Sequence, residues 1–92
     1  MDDPLAERRF LDVWSRHEIS DRDRRLVLVG LLVAQGLEEE LEIQLDAALR
    51  TGDLTPGELR AVVALVVHYA GAARGARLDR QAEDLIERTA RG

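Results

Sequence analysis

Residues 51–71, TGDLTPGELRAVVALVVHYAG, state a helix start, an apolar helix body and a polar tip in unbroken succession. Thr55 is suited to cap a helix, and Pro56 falls where a first-turn proline costs no hydrogen bond. Glu58 stands three residues after the cap, so its carboxylate can return to the cap's N–H, and Leu54 and Leu59 fit the flanking hydrophobic staple. From residue 61 to residue 67 no polar side chain interrupts any face, the pattern of a helix surrounded by other protein. The run is too short to cross a bilayer. It ends in His68 and Tyr69, an adjacent pair of titratable rings ahead of Ala70 and Gly71, and any chemistry is expected near that tip.

The flanking segments also read as helices. Asp3 can cap a first helix with Pro4 at its first position; Ala6, Phe10, Val13 and Trp14 follow at helical spacing, with Leu5 and Leu11 widening the stripe. So short a helix is expected to lie as a lid or arm over the rest. Residues 16–19 break the pattern, and Ser20 opens a second helix with Asp21 and Asp23 in its first turn, where carboxylates suit the N-terminal dipole. Arg22, Arg24 and Arg25 share that turn, residues 26–34 are apolar throughout, and Gly36 is the expected stop.

A third helix, from Leu37 or Glu38, carries Leu37, Leu41, Leu45, Ala48 and Leu49 as one stripe, with Glu39, Glu42, Asp46 and Arg50 outside it. Gln44 falls on the apolar side, where an amide needs partners. Gly52 closes this helix. After Gly71, residues 72–75 are expected to bend the chain into a last helix with Leu78, Ala82, Leu85, Ile86 and Thr89 on one face and Arg80, Asp84 and Arg88 spaced for pairing on the other.

A chain of 92 residues makes one domain, and with aromatics at 3% its core must be Leu, Val and Ala, which suits packed helices. A formal charge of −5 argues against a nucleic-acid binder, a helix-turn-helix protein included. All 13 basic residues are arginine, which reads as coding bias toward GC-rich codons. The absence of cysteine removes disulfides, thiol nucleophiles and thiolate metal sites. Two histidines cannot form a multi-histidine site within one chain, so no metal and no cofactor is expected. The acidic start MDDPLAERRF lacks an apolar signal core, giving the expectation of a cytoplasmic protein without membrane contact. Two helices apolar on every side are hard to cover with three amphipathic ones, so a homo-oligomer is expected, another subunit covering one of them.

Several of these signals stand in a familiar order. Trp14 and Arg16 precede Arg24 and Leu26; Glu40-Leu41 is followed by Leu45 and Ala47-Ala48; Gly52 precedes Thr55, Glu58 and Leu59; Tyr69-Ala70-Gly71 closes the series. Over about residues 14–87 the chain resembles the carboxymuconolactone decarboxylase-like proteins of the alkylhydroperoxidase D-like superfamily. The resemblance implies an all-α fold of about five helices centred on an antiparallel pair, and trimers or hexamers with pockets between helices and often between subunits. The chain departs from the family where Gln44 stands for a common histidine, where Ala61 stands for an acidic residue, and around Ala73, where a proline usually follows the tyrosine-x-glycine. The peroxidase branch depends on a CxxC pair, so its thiol chemistry is excluded.

Decarboxylating a lactone acid or β-keto acid needs a cation to place the carboxylate and a donor to protonate the carbanion or enolate left behind. Arg24, at the place matching the family's arginine, can supply the cation, or it can pair with Asp21, Asp23 or the start of a neighbouring helix. His68 is the natural proton donor by its ordinary pKa, or a helix-end histidine bonded to a carbonyl or to solvent. Tyr69 matches the family's tyrosine and either orients a substrate or packs with one satisfied hydroxyl. Gln44 can hold a carbonyl oxygen or make an inter-helix bond, and Glu40 can act as a base or as an arginine's partner. His17 is assigned no role. The expectation is therefore a small oligomer binding a small acid or carbonyl compound with cofactor-free lyase or isomerase chemistry. Its rival is a catalytically degenerate, partner-binding oligomer.

Overall fold

Local hydrogen bonds at the helix ends set where each element begins and stops. The computed structural model describes residues 4–92. Five helices account for the elements: α1 (Pro4–Trp14), α2 (Asp21–Gln35), α3 (Glu38–Thr51), α4 (Pro56–Ala70) and α5 (Ala72–Ala90), with no strand among the described residues. The Ser20 hydroxyl accepts from the Asp23 N–H at 3.0 Å and caps α2. At α4, the Glu58 N–H donates to Thr55 Oγ1 at 3.1 Å while the Thr55 N–H donates to Glu58 Oε1 at 2.9 Å, so two otherwise orphaned donors are satisfied reciprocally. Gly36 and Gly52 end α2 and α3 at φ of 71° and 80°, where a Cβ would be strained. The expected cap at Asp3 lies outside the described residues.

Helices α2 to α5 share one core. Val29 of α2, Leu45 of α3, Leu59 of α4 and Leu85 of α5 are fully buried in it, together with Leu54 from the α3–α4 connection. Each such side chain contributes roughly 1.5–3 kcal/mol of burial. Leu54 enters because its N–H bonds back to the Ala48 carbonyl at 3.2 Å, which folds the connection inward. Helices α4 and α5 run antiparallel, as Val67 lies against Gly75 and Arg60 pairs with Glu83. Gly71, at φ 93°, joins them.

Three expectations are corrected here. The bend at residues 72–75 is absent: α5 starts at Ala72, and Gly75 lies buried within it. A Cβ at Gly75 would sit 2.8 Å from Val67 Cγ1, so this glycine serves the close approach of two helices rather than a turn. Helix α1 does not lie over the rest of the chain; residues 4–13 are all exposed and only Trp14 is half-buried. The apolar body of α4 is not surrounded by its own chain: Leu59 and Val63 are buried, whereas Ala61, Ala64 and Leu65 are open. An apolar run carries no mark of which side its neighbours will cover.

Candidate functional site

The first turn of α2 places three arginines on three different neighbours, because helix residues step about 100° around the axis. Arg22 Nη2 donates to Glu58 Oε2 of α4 at 2.8 Å. Arg25 Nε donates to Asp53 Oδ2 at 3.0 Å, and its Nη1 donates to Gln44 Oε1 of α3 at 2.8 Å. The Trp14 ring lies over the Arg25 guanidinium, its centroid 5.8 Å away. Arg24 Nη1 donates to Asp21 Oδ1 at 2.8 Å within the same helix.

Arg24 differs from the other two in its surroundings. It is 8% exposed, the one buried charged residue among the described residues. Its Nη2 is buried and has no hydrogen-bond partner among the described residues. Asp21, its counter-ion, is itself largely exposed. A desolvated guanidinium with one unpaired nitrogen keeps donor capacity that a carboxylate oxygen can satisfy. The cluster is electrostatically coupled on its α4 side too. The Thr55 N–H, and then the Arg22 guanidinium, hold the Glu58 carboxyl below its ordinary pKa.

Gln44 joins Arg24's surroundings indirectly, since its amide oxygen accepts from the neighbouring Arg25. Glu40 is exposed one helical turn earlier on α3, with no ion pair among the described residues. His68 and Tyr69 are exposed, their rings edge-on with centroids 5.0 Å apart. His68 lies ten residues beyond Glu58, roughly 15 Å along α4. One chain therefore gathers Arg24, Arg25 and Gln44 at one end of the bundle and leaves the His68–Tyr69 pair toward the other. Arg25 and Asp53 join the site without having been singled out from the sequence, because nothing local links residues so far apart. The cluster of arginines at 22, 24 and 25 was the available signal.

A small cavity lies elsewhere, between the end of α2 and the starts of α3 and α5. Its volume is about 60 Å³, and none of the five candidate residues lines it. The polar groups at its mouth are engaged: Arg74 Nη1 donates to the Ala34 carbonyl at 2.6 Å and Gln81 Nε2 to the Glu38 carbonyl at 3.0 Å. No helix among the described residues is long and apolar enough to cross a membrane, and none of them forms a cluster of three or more His, Asp or Glu that could hold a metal ion.

No curated protein and no solved structure matches the chain. The model of the carboxymuconolactone decarboxylase family matches residues 2–84, which takes in the capped core helix, the arginine turn and most of α5. With that match over most of its length, and with five helices built around an antiparallel pair, the chain belongs to the carboxymuconolactone decarboxylase family.

Proposed function

We propose that this chain binds a small carboxylic acid through Arg24 and works as a self-associating, cofactor-free lyase. The observation that carries the reading is the buried Arg24 guanidinium, whose Nη2 has no partner among the described residues while Nη1 is held by Asp21. A substrate carboxylate on Nη2 would complete its hydrogen bonding in a desolvated setting, where a charge-assisted bond is strong. In a β-keto acid or lactone acid so placed, the bond to the carboxylate carbon breaks and CO₂ leaves. The electron pair passes to the adjacent carbonyl as an enolate, and a proton returns to carbon. His68, oriented by its contact with Tyr69, is the donor for that proton. Because the fold separates His68 from Arg24 within one chain, the complete site would combine groups from two copies. Gln44 and Arg25 then act as positioning residues, Gln44 tying Arg25 beside Arg24, and Glu40 is the alternative base.

A second reading, a non-catalytic oligomer, is favoured by the exposure of Tyr69 at 80% and by the commitment of the Gln44 oxygen to Arg25. Titrating the imidazole resonances against lactone, β-keto and dicarboxylic acids, with CO₂ release followed in parallel, separates the two. The lyase reading expects an acid that shifts His68 but not His17, with CO₂ release lost in Arg24→Gln and in His68→Gln. Binding lost in Arg24→Gln with no CO₂ from any compound would leave a binding module. No binding at all would overturn the assignment of Arg24.

A further inference from the structure

The cavity between the end of α2 and the starts of α3 and α5 has no part in the chemistry proposed above, and its walls and mouth differ in kind. The walls are aliphatic: Leu32 and Val33 from α2, Leu41 from α3 and Leu78 from α5, all buried. The mouth is polar. Arg74, Arg77 and Gln81 recur on one side of α5 at three- and four-residue spacing and reach across to the other two helices. Arg74 Nη1 donates to the Ala34 carbonyl in the last turn of α2. Arg77 Nε lies 3.2 Å from Glu38 Oε1, and Gln81 Nε2 donates to the Glu38 carbonyl at the start of α3.

These contacts leave donors over. Among the described residues, Nε and Nη2 of Arg74 and both terminal nitrogens of Arg77 make no hydrogen bond. Both side chains are exposed, so a solute can reach them. At the mouth two arginines face the single carboxylate of Glu38, which leaves one positive charge in excess in a chain of net charge −5. Size limits what the walls accept. An apolar cavity of roughly 150 Å³ takes the six carbons of benzene, so one of about 60 Å³ takes about two or three carbons. Water finds no partner on aliphatic walls, whereas an alkyl chain needs none.

We infer that this cavity binds a short-chain aliphatic monocarboxylate of butyrate size, its alkyl end against Leu41 and Leu78 and its carboxylate on the free N–H groups of Arg74 and Arg77. The site is separate from Arg24, which stands nine residues before Val33 on α2, roughly 14 Å along the axis. It does not depend on the lyase reading. A ligand held there bridges α5 and the α2–α3 junction, so occupancy stabilises the folded chain.

Amide NMR of the whole isotope-labelled chain, titrated with acetate, butyrate and n-butanol at constant ionic strength, tests it. Butyrate is expected to shift the Gly36, Leu37 and Leu78 amides and to saturate. Acetate lacks two of its carbons and should bind about tenfold more weakly. Butanol lacks the charge and should also bind about tenfold more weakly. Arg74→Gln, an exposed substitution whose fold is checked by circular dichroism, should cost butyrate about tenfold and leave butanol unchanged. Val33→Ala removes two methyl groups from the wall and should turn the preference from butyrate toward hexanoate. Arg24→Gln should leave the butyrate shifts at these amides intact. Equal binding of acetate and butyrate overturns the inference by reducing it to a surface anion contact. Butyrate binding indifferent to Arg74→Gln overturns the arginine clamp. Shifts confined to the first turn of α2 overturn the cavity site while leaving the acid assigned to Arg24 standing, and no shift with butyrate at Gly36, Leu37 and Leu78 overturns it outright.

Discussion

Trp14 and Arg25 meet face to cation at 5.8 Å, and through this contact the first helix is fixed to the arginine turn of the second. The same guanidinium bonds Asp53 and Gln44, so one side chain links α1, α2, α3 and the α3–α4 connection.

Replacing Arg25 by alanine therefore strands several partners at once. Asp53 loses its counter-ion in a largely buried setting, the Gln44 oxygen loses its donor, and the Trp14 ring loses the group beneath it. A loss of about 2–3 kcal/mol is expected, read as a lower urea midpoint at unchanged slope. Trp14 is the sole tryptophan, so its emission should shift to the red in the folded variant.

Arg24→Met should behave differently. The native side chain buries a charge with a donor unused among the described residues, while Asp21 is exposed enough to remain solvated and sits in the first turn of α2, where a carboxylate is favoured. Stability is expected to stay within about 1 kcal/mol of the parent, because removing the guanidinium also removes its desolvation cost. Acid binding measured by calorimetry should be abolished. A variant that unfolds would make Arg24 a structural residue.

Gly75→Ala places a methyl carbon 2.8 Å from Val67 Cγ1 and 2.9 Å from Cγ2, at the closest approach of α4 and α5. Overpacking of this kind costs about 1–3 kcal/mol. Val67→Ala in the same chain should recover most of that loss, giving a coupling energy in a double-mutant cycle that additive effects would not produce.

Acid should weaken the α2–α4 and α4–α5 links in a defined window. The Thr55 N–H and Arg22 hold the Glu58 carboxyl below its unfolded pKa, and the Arg60 pair does the same for Glu83. Their stabilisation is complete above the ordinary carboxylate range and is lost as pH falls from there through the folded values. Urea midpoints should drop from pH 6 toward pH 3, roughly the span over which ordinary and lowered carboxylates titrate. The drop should be smaller in a Glu58→Gln, Glu83→Gln chain. An identical slope in parent and variant would show that these carboxyls do not carry the effect.

Much of this fold was legible in the chain because it is local. The Ser20 cap, the Thr55–Glu58 box and the stops at Gly36 and Gly52 all act within a few residues, so neighbouring positions in the sequence suffice to state them. The buried stripe of α5 was legible too, since charged residues mark its outer face. Gln44 was recognisable as a polar group on an apolar stripe, and Arg24 as one of three arginines in the first turn of α2. Their partners were divided: Asp21 stands three residues from Arg24, whereas Arg25 and Gln44 meet only when α2 folds against α3.

What only the tertiary structure decided is which side of each apolar helix is covered. In residues 61–67 every position is apolar, so periodicity carries no direction, and the docking of α5 through Gly75 onto Val67 chooses the buried side. The same holds for α1, whose amphipathic pattern states that it needs a partner but not where the partner lies. The Trp14–Arg25 contact fixes its end to the side of α2 that looks toward Asp53 and Gln44. Hydrogen bonds within a turn are specified by sequence distance; the covering of apolar surface is non-directional and is settled by whichever surfaces the chain brings together.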